Sequence, residues 1–223
     1  MVSAISLNRI ELKAGESLSV EPGAMLAYSN CEMRTGLAAG GIFQKARMFV
    51  LGGESLIQNQ FTAKEGGGWV ALEEHMPGQI MKKSLSPGES PLMIRRSALI
   101  AATPNINLDA KYLGLSGYFK GQGISMLCAK GEKGNGDVYF HTTEGVVRSF
   151  RVRAHEGPVF VDNNMILAYS DSLDATVTAA GQNTTSYLFS GEGLVTKFEG
   201  DGIVYVGSAE PKYQPSYARA QNQ

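Results

Sequence analysis

One short pattern recurs three times along this chain, and its spacing restricts the fold more than any other feature. It reads Met25-Leu26-Ala27-Tyr28-Ser29, then Leu99-Ile100-Ala101-Ala102-Thr103, then Ile166-Leu167-Ala168-Tyr169-Ser170. A second marker, a glycine corner, follows each copy: Gly53-Glu54-Ser55-Leu56, Gly121-Gln122-Gly123-Ile124 and Gly191-Glu192-Gly193-Leu194. The alanines stand 74 and 67 residues apart (101 − 27, 168 − 101), and the leading glycines 68 and 70 apart (121 − 53, 191 − 121). Two independent markers in one order at one period predict a triplicated β module. A lone module of roughly 70 residues buries too little surface to be stable, so the three are expected to pack as one unit.

An ungapped comparison sharpens the repeat. Residues 78–103 align with 145–170 at a constant offset of 67, matching Gly78 with Gly145, Glu89 with Glu156, Pro91 with Pro158 and Ala101 with Ala168. Ile80, Leu85, Leu92, Ile94, Leu99 and Ile100 meet Val147, Val152, Val159, Val161, Ile166 and Leu167. Strand side chains alternate with a period of two, so preserved apolar spacing sends the same positions into the core. Twenty-seven glycines and few stretches of helical period favour short strands joined by tight turns. Alternation over Phe150-Arg151-Val152-Arg153 predicts Phe150 and Val152 inward with both arginines in water. Leu194 and Phe198 share one predicted face and Lys197 and Glu199 the other, while 69–72, 138–140 and 203–206 read as strands buried on both faces.

The fold class is therefore all-β, one folded unit over 1–210 with modules at about 1–86, 87–154 and 155–210. Turns are expected at Glu21-Pro22-Gly23, Pro77-Gly78, Pro87-Gly88 and Asp162-Asn163-Asn164. An insert over 36–50 suits one short helix or a packed loop. Residues 211–223, with two prolines and no buried pattern, are expected to form a mobile tail.

Several stretches, in order, resemble one family: Val20-Glu21-Pro22-Gly23-Ala24-Met25, Gly52-Gly53-Glu54-Ser55-Leu56, Pro77-Gly78, Val161-Asp162 leading into Leu167-Ala168, and Gly191-Glu192-Gly193-Leu194 closing on Gly200-Asp201-Gly202. Over roughly 18–207 the chain is similar to bacterial relatives of the altered-inheritance-of-mitochondria family, a mitochondrial-biogenesis group. Its domain is similar to that of the tryptophan RNA-binding attenuation protein. The resemblance implies three β-sandwich modules of the double-stranded β-helix type and assembly into trimers or rings. It brings no established enzymatic activity. The mitochondrial role is not expected to transfer, because no targeting presequence is evident. Gly200-Asp201-Gly202 departs from the expected Gly-Pro-Gly, which touches a turn and no site.

Chemistry is sparse. Twenty basic against 21 acidic residues give a net charge of −1, so no overall field draws in nucleic acid or anionic lipid. Cys31 and Cys128 lack the spacing of zinc or redox motifs and read as two reduced thiols. Residues 1–13 lack the basic start and apolar run of a signal peptide, and no segment approaches 18 uninterrupted apolar residues. The expected compartment is the cytoplasm, with no membrane span.

The three histidines, His75, His141 and His155, show no ligand spacing, and Glu73-Glu74-His75 reads as solvated charge before a turn. No Gly-x-Ser-x-Gly elbow occurs, and Asp162, though it follows a buried strand, reads as an Asx turn. Gly52-Gly53 and Gly66-Gly67-Gly68 precede strands, not the helix a phosphate loop requires. Neither a catalytic residue, a cofactor nor a metal is expected.

The candidate nucleic-acid contacts are Lys82, Lys83, Arg95, Arg96, Arg148, Arg151 and Arg153, a basic stripe on equivalent strands of adjacent modules. The leading expectation is a non-enzymatic scaffold or binding protein that self-associates, because sheet modules expose edges unless they close or pair. An RNA-binding module using the basic strands is the alternative.

Overall fold

The computed structural model describes residues 8–36, 58–73, 78–109, 126–179 and 194–208. Among these the chain runs through β1 (Asn8–Leu12), β2 (Ser17–Val20), β3 (Met25–Ser29), β4 (Cys31–Gly36), β5 (Gln58–Ala63) and β6 (Gly68–Leu72). It continues through β7 (Gln79–Leu85), β8 (Leu92–Arg95), β9 (Leu99–Ala102), β10 (Ile106–Asp109), β11 (Met126–Gly131) and β12 (Gly136–Thr142). The last strands are β13 (Glu144–Val152), β14 (Val159–Asp162), β15 (Ile166–Ser170), β16 (Asp174–Ala179), β17 (Leu194–Glu199) and β18 (Gly202–Ser208). Single 3-10 turns at Arg96–Ala98 and Asn163–Met165 lead into β9 and β15.

The strands form four antiparallel sheets, ordered β1-β6-β3, β4-β5-β2-β9-β12-β7, β10-β11-β8-β15-β18-β13 and β14-β17-β16. The all-β expectation holds. The runs at 69–72, 138–140 and 203–206 fall in β6, β12 and β18, each flanked by strands on both sides. Their apolar character follows from that central position. Val70, Val138 and Val204 are fully buried, and Phe61, Phe140 and Phe198 anchor three separate core clusters.

Local chemistry sets the strand ends. Gly68, Gly136 and Gly202 each open a central strand where a Cβ would meet neighbours at 2.7 Å; at Gly68 these include the carbonyl oxygens of Ser29 and Asn30. Before β2, β8 and β14 the chain turns through Lys13–Glu16, Ser86–Glu89 and Arg153–Glu156, each closed by a backbone bond from the glutamate N–H. The glutamate side chains brace the same turns: Glu16 accepts from the Lys13 N–H at 2.8 Å, Glu89 from the Ser86 N–H at 3.1 Å, and Glu156 from the Arg153 guanidinium. Strands β3, β9 and β15 each break register at one residue, Leu26, Ile100 and Leu167.

Strand β7 pairs with β12, and β13 with β18. Two expectations need correcting. Phe150 shares its face with buried Val152 but is 47% exposed, because β13 is a sheet edge and Phe150 lies beyond the packed core. Arg95 is 3% exposed, not on the surface, since β8 lies inside a six-stranded sheet. The three glycine corners up to residue 193, the 37–50 insert and the 211–223 tail lie outside the described residues.

Candidate functional site

Strand β1 stands away from the sheet that contains β2, β12 and β7, and a cleft of about 930 Å³ opens between them. Its charged lining is matched internally. The Lys82 ammonium lies 2.8 Å from Asp137, which also accepts from the Ser84 hydroxyl at 2.6 Å. Burial pushes the Asp137 carboxyl up, but the hydrogen bonds from Lys82 and Ser84 and the Lys82 charge together hold it below the usual range. Across the mouth Arg9 pairs with Glu11 at 2.6 Å and stacks its guanidinium 4.4 Å above the Trp69 ring. Burial, then the Asp137 charge, raises the Tyr139 phenol to about 12. The paired charges neutralise one another, and the raised Tyr139 phenol keeps its proton.

The predicted basic residues do not form one field. Lys82 is tied to Asp137, Lys83 to Glu89 at 2.9 Å, and Arg153 to Glu156. Buried Arg95 donates to the Asn164 carbonyl at 2.9 Å, and Arg96 is half-buried. Arg148 and Arg151 stand exposed on β13, outside the ion pairs that hold the others, with Phe150 between them. Strands β7 and β13 do lie together, joined by a 2.8 Å bond from the Val147 N–H to the Gln79 side chain.

Other candidates resolve into structure. Asp162 accepts from the Asn164 N–H at 2.7 Å and caps the 3-10 turn. His141 is buried with Nε2 3.3 Å from the Ser97 carbonyl, while His155 is mostly exposed beside Glu156; Glu74 and His75 lie outside the described residues. Burial pushes the Cys128 thiol up to about 11 and raises Cys31 as well. Among the described residues no three His, Cys, Asp or Glu side chains converge as metal ligands, and no helix is long and apolar enough to cross a membrane.

Two features are not evident from the sequence. Glu21, at the end of β2, has a buried carboxylate oxygen without a hydrogen-bond partner; burial raises its carboxyl to about 7 against the opposing pull of Arg96. The other is the pair of open edges. Among the described residues strand β3 bonds only to β6 and β14 only to β17, and they expose Leu26, Tyr28 and Phe160. The Glu-Pro-Gly turn is a hint at Glu21. Nothing distinguishes the open edges, because their apolar residues match those of buried strands.

Fold and sites together define an all-β protein of several antiparallel sheets, with a charge-matched cleft and two unpaired apolar strand edges. A family model described as Mitochondrial biogenesis AIM24 matches residues 2–209, and the chain belongs to that family. A crystal structure of a structural-genomics protein from Streptococcus pyogenes is similar in fold, with a TM-score of 0.64 and 24% identity over 90% of this chain and 87% of that one. No curated protein matches the sequence.

Proposed function

We propose that this chain is a non-enzymatic scaffold that self-associates and holds a protein partner in the cytoplasm. The observation that carries this reading is the pair of apolar strand edges, β3 and β14, each hydrogen-bonded on one side only. Soluble sheet proteins normally blunt such edges with charge, proline or a covering element, because a bare edge templates pairing with another chain. The matched charges of the cleft and the two raised thiols support a structural role over a reactive one.

The reading includes three equivalent six-stranded units, β1–β6, β7–β12 and β13–β18. Its support is the recurrence of every pairing within them: first with sixth, third with sixth, second with fifth and fourth with fifth. The register break at Leu26, Ile100 and Leu167 and the glycine opening each sixth strand support it further. Grouped this way the units run over 8–73, 78–142 and 144–208.

Light scattering of the purified protein at micromolar concentration tests the assembly, and a particle of two or more chains is expected. A strict monomer overturns it. Unbiased pull-down then tests for the partner.

A second reading, RNA binding, is favoured by one observation: Arg148 and Phe150 are exposed on one face of β13 and Arg151 on the other, offering a cation beside a ring for stacking and a second cation across the strand. It predicts binding that weakens steeply with salt and is lost on Arg148→Glu with Arg151→Glu.

A further inference from the structure

We propose that β14 of one copy pairs antiparallel with β3 of a second copy, and that the reciprocal pair closes a head-to-tail dimer. The inference rests on the self-association reading and assigns its interface.

The joint already exists twice inside the chain. Strand β2 pairs with β9 through Val20↔Ala101 and Ser19↔Ala102, and β8 pairs with β15 through Ile94↔Ala168, Met93↔Tyr169 and Leu92↔Ser170. Each joint therefore sets the second strand of one group of six against the third strand of the next. Two half-joints are left over, the second strand of the last group, β14, and the third strand of the first, β3. Joining them gives the order β16-β17-β14-β3-β6-β1. That repeats the two internal sheets, β4-β5-β2-β9-β12-β7 and β10-β11-β8-β15-β18-β13. The internal registers carry over as Val161↔Ala27, Phe160↔Tyr28 and Val159↔Ser29.

Burial follows the same division. Leu26 is 54% exposed where its counterparts Ile100 and Leu167 are 3% and 0%; Phe160 is 57% exposed where Met93 is 4%. These positions hold apolar side chains on edges that no described residue covers, whereas both internal joints bury the equivalent positions. Charge sets them apart from most of the other sheet edges. Strand β4 carries Glu32 and Arg34, β7 Lys82 and Lys83, β13 Arg148 and Arg151, and β1 Arg9 and Glu11, whereas β10 and β16 carry one acid each, Asp109 and Asp174. Strand β3 carries no charge, and β14 only Asp162, occupied in capping its turn.

Among the described residues of one chain β3 and β14 share no register and leave their apolar side chains in solvent, and a second copy fits both edges at once. One joint alone would leave a β3 and a β14 free. Two reciprocal joints use all four edges and close the assembly, so a finite particle is expected instead of a fibre.

The experiment is sedimentation velocity over a concentration series, with Leu26→Lys, Phe160→Lys and the double variant. Both side chains are more than half exposed, so the fold should survive, and circular dichroism checks that. Wild-type protein is expected to be dimeric, and each single variant to dissociate roughly 100-fold more readily. An equimolar mixture of the single variants should associate more tightly than either variant alone, because it retains one joint free of lysine while the other carries both, but less tightly than wild type; the double variant should gain nothing from mixing. Dimers that resist both substitutions overturn this interface and leave self-association standing, whereas monomeric wild type overturns both. Ala27→Cys with Val161→Cys, in a chain lacking Cys31 and Cys128, provides a second readout under mild oxidant. Crosslinking between chains is expected, and a bond only within one chain overturns the second copy as occupant.

Discussion

The joint between β8 and β15 and the open edges of β3 and β14 are made from the same kind of sequence and end in opposite states. Leu92-Met93-Ile94 and Ile166-Leu167-Ala168-Tyr169 are buried throughout. Val159-Phe160-Val161 and Met25-Leu26-Ala27-Tyr28, their counterparts by offset and register, leave Phe160, Leu26 and Tyr28 in water. Even the ring pairs match, with Tyr28 over Phe61 and Tyr169 over Phe198, both at 5.1 Å. Burial at these positions is thus set by the neighbouring strand and not by the residue. An apolar strand that lacks that neighbour is a contact waiting to be made.

The sharpest way to break this comparison is truncation at equivalent positions. Ile100→Ala should cost about 2–5 kcal/mol, as expected for a large aliphatic side chain in a packed core. Leu26→Ala should cost less than about 0.5 kcal/mol below the association concentration, because its site is already in solvent. Denaturant unfolding of dilute protein measures both, and equal losses would remove the distinction between closed joint and open edge. Raising protein concentration should make Leu26→Ala more costly and leave Ile100→Ala unchanged.

The next test concerns the residues at or just past the ends of β2, β8 and β14: Glu21, Arg95 and Asp162. At the closed β2–β9 joint the Glu21 N–H donates to the Ile100 carbonyl at 2.8 Å, and burial raises its carboxyl to about 7 from 4.5. Between those values the folded chain holds a proton that the unfolded chain releases, so stability falls as pH rises from about 4.5 and levels off above about 7. The full loss is up to about 3 kcal/mol, 2.5 units at about 1.36 kcal/mol each. Glu21→Gln should flatten that part of the pH–stability curve. An unchanged slope would show that the joint does not desolvate this carboxyl.

Much of this is legible in the residues. The Ala27, Ala101 and Ala168 pattern locates three topologically equivalent strands, because a bulge followed by a small residue leaves a recognisable local signature. The Gly-x-Val openings, Gly68-Trp69-Val70, Gly136-Asp137-Val138 and Gly202-Ile203-Val204, carry as clear a signal. The pairing of β7 with β12 and of β13 with β18 is not legible in the repeat, because long-range pairing leaves no local signature. Phe150 and Arg95 fail for a related reason. Alternation reports which face a side chain takes, whereas exposure depends on whether its strand lies at an edge. For the same reason the open edges cannot be seen in the sequence.

Glycine substitution compares the two ends of the molecule at smaller amplitude. Gly68 begins β6, in the sheet that ends at open β3, and Gly202 begins β18, between β15 and β13. A Cβ at Gly68 meets backbone oxygens of Ser29 and Asn30 at 2.7 Å, which can move only if the β3–β4 turn moves. At Gly202 it meets the Leu173 side chain at 2.7 Å and the Ser170 Cβ at 3.0 Å, groups with more freedom to shift. Gly68→Ala should therefore cost about 1–3 kcal/mol and exceed Gly202→Ala, as read by thermal unfolding. The reverse order would mean that β3, lacking an outer neighbour, yields more easily than a packed leucine.

The smallest expected effect lies at the cleft, where β1 stands off from the sheet that holds β7. Lys82→Ala removes the partner of Asp137, and because Lys82 is about half exposed the loss should be only about 0.2–1 kcal/mol. Its pH signature is opposite to that of Glu21. The Asp137 carboxyl is held below 3.8, so the pair contributes above that value and its contribution fades as pH falls through the lowered one. Unfolding curves for wild type and Lys82→Ala should thus converge in acid and also in high salt, where an exposed pair is screened. A difference that persists in molar salt would mean that the cleft shields this pair from solvent, as the corresponding close approach of β7 and β13 would. That result would make the β1 side as tightly sealed as the rest and confine the contrast between closed and open regions to β3 and β14.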